Sequence, residues 1–175
     1  MKTIIKKFNK PILQSNWFAT IVLTIPRVLC GYFLTANFGG SKFGLPWTPA
    51  ENNLDLFQVA PWFPEDVAQF GGIFTAAPLL FAWLGAASEA IGGFFLMIGY
   101  KTRTAAFFIL CTMLVAIFFQ KWEQGLWGML PALGFLWVSL QSLALGSGRL
   151  GLDNLSLSRI KKLLFSKEQK LQNIL

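Results

Sequence analysis

The chain has 175 residues, 54% of them hydrophobic and 13% charged, with a mean hydropathy of +0.54 and a formal net charge of +7. A water-soluble domain usually carries about 25% charged residues, so this composition excludes an ordinary soluble domain and points to a membrane protein. Histidine is absent and the two cysteines, Cys30 and Cys111, form no C-x-x-C pair; this excludes histidine-ligated haem and metal sites, a Ser-His-Asp triad and a vicinal dithiol, and no metal site is expected.

Residues 1–15 are basic, with Ile4, Ile5, Phe8 and Ile12 interleaved among lysines, a pattern suited to an anionic membrane surface. They resemble the n-region of a signal peptide, but its apolar core would run through Pro26 and Arg27, and no clean small-residue cleavage site follows. The first apolar stretch, 16–37, is therefore expected to stay as a span. Within it Thr20, Thr24, Arg27, Gly31 and Thr35 recur at helical spacing and share one face.

Residues 38–77 form the one long connection. It is rich in aromatic residues and prolines rather than polar, and reads equally as an interfacial cap over the helix ends or as a lid over a site. Three more stretches of spanning length follow, 78–99, 104–120 and 125–145, joined by tight turns at 100–103 and 121–124. Short turns place neighbours antiparallel, so the expected fold is an all-α integral membrane four-helix bundle, residues 16–145, with a long aromatic outer loop. The remainder, 146–175, is a glycine-rich turn and a basic tail. Its Leu157, Ile160, Leu163 and Leu164 form an apolar face, with Asp153 as the expected cap of that amphipathic helix.

Twelve basic residues fall on the side holding both termini, whereas Lys42 and Lys121 alone fall on the other, with Glu51, Asp55, Glu65, Asp66 and Glu123. That asymmetry predicts a multi-pass protein of a bacterial inner membrane with both termini cytoplasmic. It also accounts for the net charge without a nucleic-acid partner. Cys30 and Cys111 fall in different spans at depths about 7 Å apart by helical rise, and read as small apolar packers rather than a disulfide.

The chemistry concentrates in two charges. Arg27 stands at the middle of the first span and Glu89 at the middle of the second. A charge at mid-membrane costs at least ~2.5 kcal/mol on insertion scales, and persists where it has a partner or lines a polar cavity. Adjacent antiparallel spans put the two midpoints at one depth, so Arg27 and Glu89 are expected to meet. Gly31, Gly85 and Gly93 would allow close helix approach, and hydroxyls of Thr24 or Ser88 would satisfy leftover groups. The pair then either fixes helix register or forms a polar pocket that binds a quinone head group or passes a proton. Lys42, after Gly39 and Gly40, is the third candidate, against a reading as a snorkelling lysine.

The order and spacing of these motifs resemble the DoxX/DoxD family of small membrane proteins. The resemblance rests on Arg27-x-x-x-Gly31, Lys42, Glu89-x-x-x-Gly93, the Gly99-Tyr100-Lys101-Thr102-Arg103 turn and the Gly146–Asp153 run that closes on Leu-Asp. This chain departs from the pattern in Gly151, where the family often has serine, and in a long 38–77 loop like that of the thiosulfate-oxidising members. The resemblance implies four membrane helices and, in some members, a small subunit of a thiosulfate:quinone oxidoreductase. A quinone-linked redox subunit is thus the leading expectation, with quinone as the one cofactor and electrons arriving through a partner subunit. The alternatives are a non-catalytic anchor or assembly partner of a neighbouring enzyme, a homo-oligomer included, and, more weakly, a small-solute carrier.

Overall fold

Hydrophobic length dictates the architecture. In the computed structural model, which describes residues 11–156, four helices are long and apolar enough to cross a membrane: Trp17–Phe38, Pro78–Ile98, Thr102–Gln120 and Trp122–Leu145. Residues 1–10 and the amphipathic face expected from Leu157 onward lie outside the described residues. Among the described residues the chain is all-helical, with a lone bridge between Phe43 and Val59 and no strand.

Helix α1 (Trp17–Phe33) is capped by Asn16, whose side chain accepts from the Phe18 N–H, and runs on as a π turn over Leu34–Phe38. Two short helices follow in the long connection, α2 (Trp62–Ala68) and α3 (Ile73–Ala76). Helix α4 (Pro78–Ile98) starts on a proline, which sacrifices no hydrogen bond there. It ends at Gly99, whose φ of 71° lets the Tyr100 N–H return to Phe95 O. Helix α5 (Thr102–Val115) also ends in a π turn, Ala116–Gln120, and α6 (Gly125–Leu145) completes the set.

Each long helix packs on the next in the chain, and α6 returns to α1. One core joins them through Cys30, Leu34, Leu96, Ala106, Ile109, Met113, Ile117 and Ala132. A second core joins the connection to the first half of α4, where Phe43, Phe63, Val67 and Phe74 pack on Ala82, Ala86 and Ala90. Burying one such aromatic side chain contributes about 2 kcal/mol, so the connection is anchored rather than loose. Trp83 donates its indole N–H to Phe57 O (3.2 Å) and helps hold it. Trp137 is 74% exposed and faces outward, as suits a lipid-facing ring.

The register of α1 on α4 decides where the charges lie. A Cβ at Gly31 would stand 2.5 Å from Met97 N, one at Gly93 would stand 2.8 Å from Thr35 N, and one at Gly39 would stand 2.5 Å from Ala90 Cα. Only glycine permits these approaches, so backbone contacts lock α1 against the second half of α4. Helix α1 therefore finishes beside the middle of α4, and the folded connection covers the rest.

Candidate functional site

The first polar centre lies where the connection meets α4. Lys42 is held in place because its carbonyl accepts from Ala60 N–H (2.9 Å), while Gly44 and Gln58 pair alongside (Gly44 N–H to Gln58 O, 2.8 Å). This fixes the lysine over the middle of α4, where Nζ lies 2.7 Å from Glu89 Oε2. The side chains are 13% and 5% exposed, so the pair is desolvated, and the ammonium also stands 5.0 Å from the centre of the Phe63 ring. Lys42 uses one of its three donors and Glu89 one of its two oxygens; among the described residues neither makes a further hydrogen bond.

Beside the pair lies a cavity of about 410 Å³. Phe63, Val67, Phe70 and Phe74 of the connection form one wall, and Gly85, Thr112, Val115 and Cys111 line the α4 and α5 sides. Ile73, Leu84, Phe107 and Phe108 also line it and are well exposed, so the space opens outward between the connection, α4 and α5. Ser88 and Thr112 close the polar end with hydroxyls 2.5 Å apart, and Ser88 also donates to Gly85 O (2.9 Å). Gly85 makes room here: a Cβ would meet nothing closer than 3.8 Å. The result is an apolar pocket of ligand-binding size with one charged, hydrogen-bonding end.

The second polar centre is Arg27, 3% exposed. Its Nη1 donates to Leu96 O, which also accepts from Gly99 N–H (3.3 Å), and to Met97 O (3.1 Å), two carbonyls at the C-terminal end of α4. The chain's two glycine-rich motifs dock beside it. Asp153 N–H donates to Gly99 O (2.9 Å), and the Asp153 carboxylate accepts from Lys101 N–H (2.7 Å), Thr102 N–H (3.0 Å) and Thr102 Oγ1 (3.0 Å). Asp153 thus caps the start of α5, and it stands within electrostatic reach of Arg27.

Compared with known families, residues 52–122 match the DoxX family profile. Over those residues the chain is similar to the DoxX family. Together with its four apolar helices, this makes it a multi-pass membrane protein. The DoxX match covers less than half the chain: it includes Glu89 and the 99–103 turn, and leaves out Arg27, Lys42 and the 146–153 run. No curated protein and no solved structure matches the chain.

Against the sequence reading, the main correction is the pairing. Arg27 and Glu89 do not meet; Glu89 lies about 11 Å further along α4 from the Leu96–Met97 carbonyls that Arg27 binds, by helical rise. Equal midpoints fail because Gly31, Gly39 and Gly93 shift α1 along α4, and Lys42 takes the place expected for Arg27. Thr24 Oγ1 donates to Thr20 O of its own helix (2.7 Å) and Ser88 Oγ bonds as above, so neither serves either charge. Thr20, Arg27, Gly31 and Thr35 are nonetheless buried along the shared face, whereas Thr24 is half-buried. Gly85 lines the cavity instead of a helix contact. Asp153 caps α5; the tail helix it was expected to cap lies, from Leu157 on, outside the described residues. Cys30 and Cys111 are both free; Cys30 is buried, but Cys111 is exposed and lines the cavity instead of packing in a core.

Proposed function

We propose that this DoxX-like protein binds the head group of a lipid-soluble quinone in the cavity beside Lys42 and Glu89, as a quinone-linked redox subunit. The observation that carries the reading is the joining of an outward-opening apolar space of about 410 Å³ to a buried ion pair with unused donors and an unused acceptor. A quinone has the matching chemistry. Its ring and tail suit phenylalanine walls, and its carbonyl oxygens accept from an ammonium such as Lys42. Reduction adds two electrons and two protons to the quinone, and Glu89 is placed to relay a proton at that ring. The electrons would come from a redox centre on a partner subunit. In this reading the four spans form an antiparallel bundle in the bacterial inner membrane, both termini are cytoplasmic, and the 38–77 connection forms the outer wall of the site.

Mass spectrometry of the detergent-purified protein tests the proposal. Quinone retained through purification supports it. A stoichiometric partner protein retained without quinone supports the anchoring role instead.

A further inference from the structure

At the opposite end of α1, away from the Lys42–Glu89 cavity, the chain encloses a second space that the proposed quinone site does not use. Helices α1 and α6 and the turn at 146–149 surround a cavity of about 20 Å³. That is room for one or two water-sized groups. Arg27 and Ser142 both line it, and each is only 3% exposed. Arg27 commits Nη1 to α4, but Nε and Nη2 make no hydrogen bond among the described residues, and neither does Ser142 Oγ. Both side chains line the cavity with these groups uncommitted.

Charge defines what such a cavity would take. Arg149 also lines it, with its guanidinium 5.9 Å from the centre of the Trp17 ring. Among the described residues the one carboxylate in reach, Asp153, already accepts three hydrogen bonds from Lys101 and Thr102. Gln141 Nε2 is turned to Leu23 O (3.5 Å), and Thr20 and Thr24 donate to backbone carbonyls of α1 and its cap. The charged capacity that remains is therefore the donors of Arg27 and Arg149, which fit an anionic oxygen.

We propose that this cavity is an oxyanion site that admits one phosphate oxygen. Arg27 and Ser142 hold that oxygen, and the rest of the phosphate stays outside the enclosed space, beside Arg149. The space of about 20 Å³ is too small for a whole tetrahedral anion, which sets this partial insertion. A phospholipid head group and free phosphate share the chemistry, and the experiment separates them.

The full-length protein is stripped of lipid in detergent and examined in two arms. Native mass spectrometry compares retention of phosphatidylglycerol with phosphatidylcholine, and thermal unfolding compares inorganic phosphate with chloride at equal ionic strength. Ser142→Ala is the decisive variant, because it removes only the hydroxyl and leaves every charge in place. Arg149→Gln is the second, remote enough from the α1–α4 contact to keep the fold. The expected result is a preference for phosphatidylglycerol that falls about fivefold in Ser142→Ala, the worth of one hydrogen bond. A phosphate-dependent rise in unfolding temperature that Ser142→Ala abolishes assigns the site to the free anion instead. An anionic-lipid preference untouched by both variants would come from the basic chain ends and would overturn the site. So would no response in either arm, which leaves the cavity to water.

Discussion

Lys42 Nζ and Glu89 Oε2 lie 2.7 Å apart although 47 residues separate them in the chain, and the connection between α1 and α4 folds back to bring them together. The contact links topology to chemistry. Were the connection a slack linker, Lys42 would sit in solvent and Glu89 would be a lone carboxylate in an apolar helix.

The ion pair predicts a specific pattern of coupling. Glu89→Gln strands a buried ammonium and Lys42→Met strands a buried carboxylate, each costing about 3 kcal/mol. The double variant regains most of that loss, because two neutral groups leave no charge unpaired. Arg27→Gln combined with Glu89→Gln gives additive losses. Thermal unfolding of the purified variants measures both cycles; coupling of Glu89 to Arg27 rather than to Lys42 would contradict the geometry.

Asp153 is expected to stabilise the start of α5 by side-chain capping. Asp153→Ala removes three accepted hydrogen bonds and should lower stability by about 2 kcal/mol. Asp153→Asn keeps one acceptor oxygen and should lose less. Equal unfolding temperatures for Asp153→Ala and the wild type would show that the cap contributes nothing.

The glycines should separate by what they touch. Alanine at Gly31 or Gly93 pushes a methyl group into the backbone of the facing helix and should cost at least about 2 kcal/mol. Gly85→Ala adds a methyl at ordinary contact distance from Phe63 and Thr112 and should be neutral or slightly stabilising. Unfolding midpoints for the three variants test this ordering.

Topology follows from the charge asymmetry. Single cysteines at Asn53 and Ser166, in a background lacking Cys30 and Cys111, should react from opposite sides of the membrane in intact cells. Asn53 should be labelled by an impermeant reagent, and Ser166 should be protected until the membrane is opened. Labelling of Ser166 from outside would reverse the assignment.

How far the sequence reveals this molecule differs from one feature to the next. The spans are legible because each must bury its backbone polar groups in a helix and present about twenty apolar residues, a local requirement written in composition. The buried stripe of Thr20, Arg27, Gly31 and Thr35 is legible from periodicity for the same reason. The partner of Glu89 is not, because pairing depends on axial register, and a midpoint argument treats two helices as equal rods. The signal was nonetheless present in Gly31, Gly39 and Gly93, whose spacing fixes where α1 lies against α4. The docking of Asp153 on Thr102 spans 51 residues and joins two turns, and no local pattern announces it. The cavity arises from side chains of α2, α3, α4 and α5 meeting in space, which periodicity within one helix does not encode.

The most direct measurement of the central claim is the amount of quinone retained per chain by wild-type protein and by Gly85→Leu. The leucine side chain would extend into the cavity from a position with no neighbour closer than 3.8 Å, and it leaves Lys42 and Glu89 in place. The account predicts quinone in the wild-type extract, its loss in Gly85→Leu, and similar unfolding temperatures for both. Quinone absent from the wild type, or retained equally by the two proteins, would contradict it.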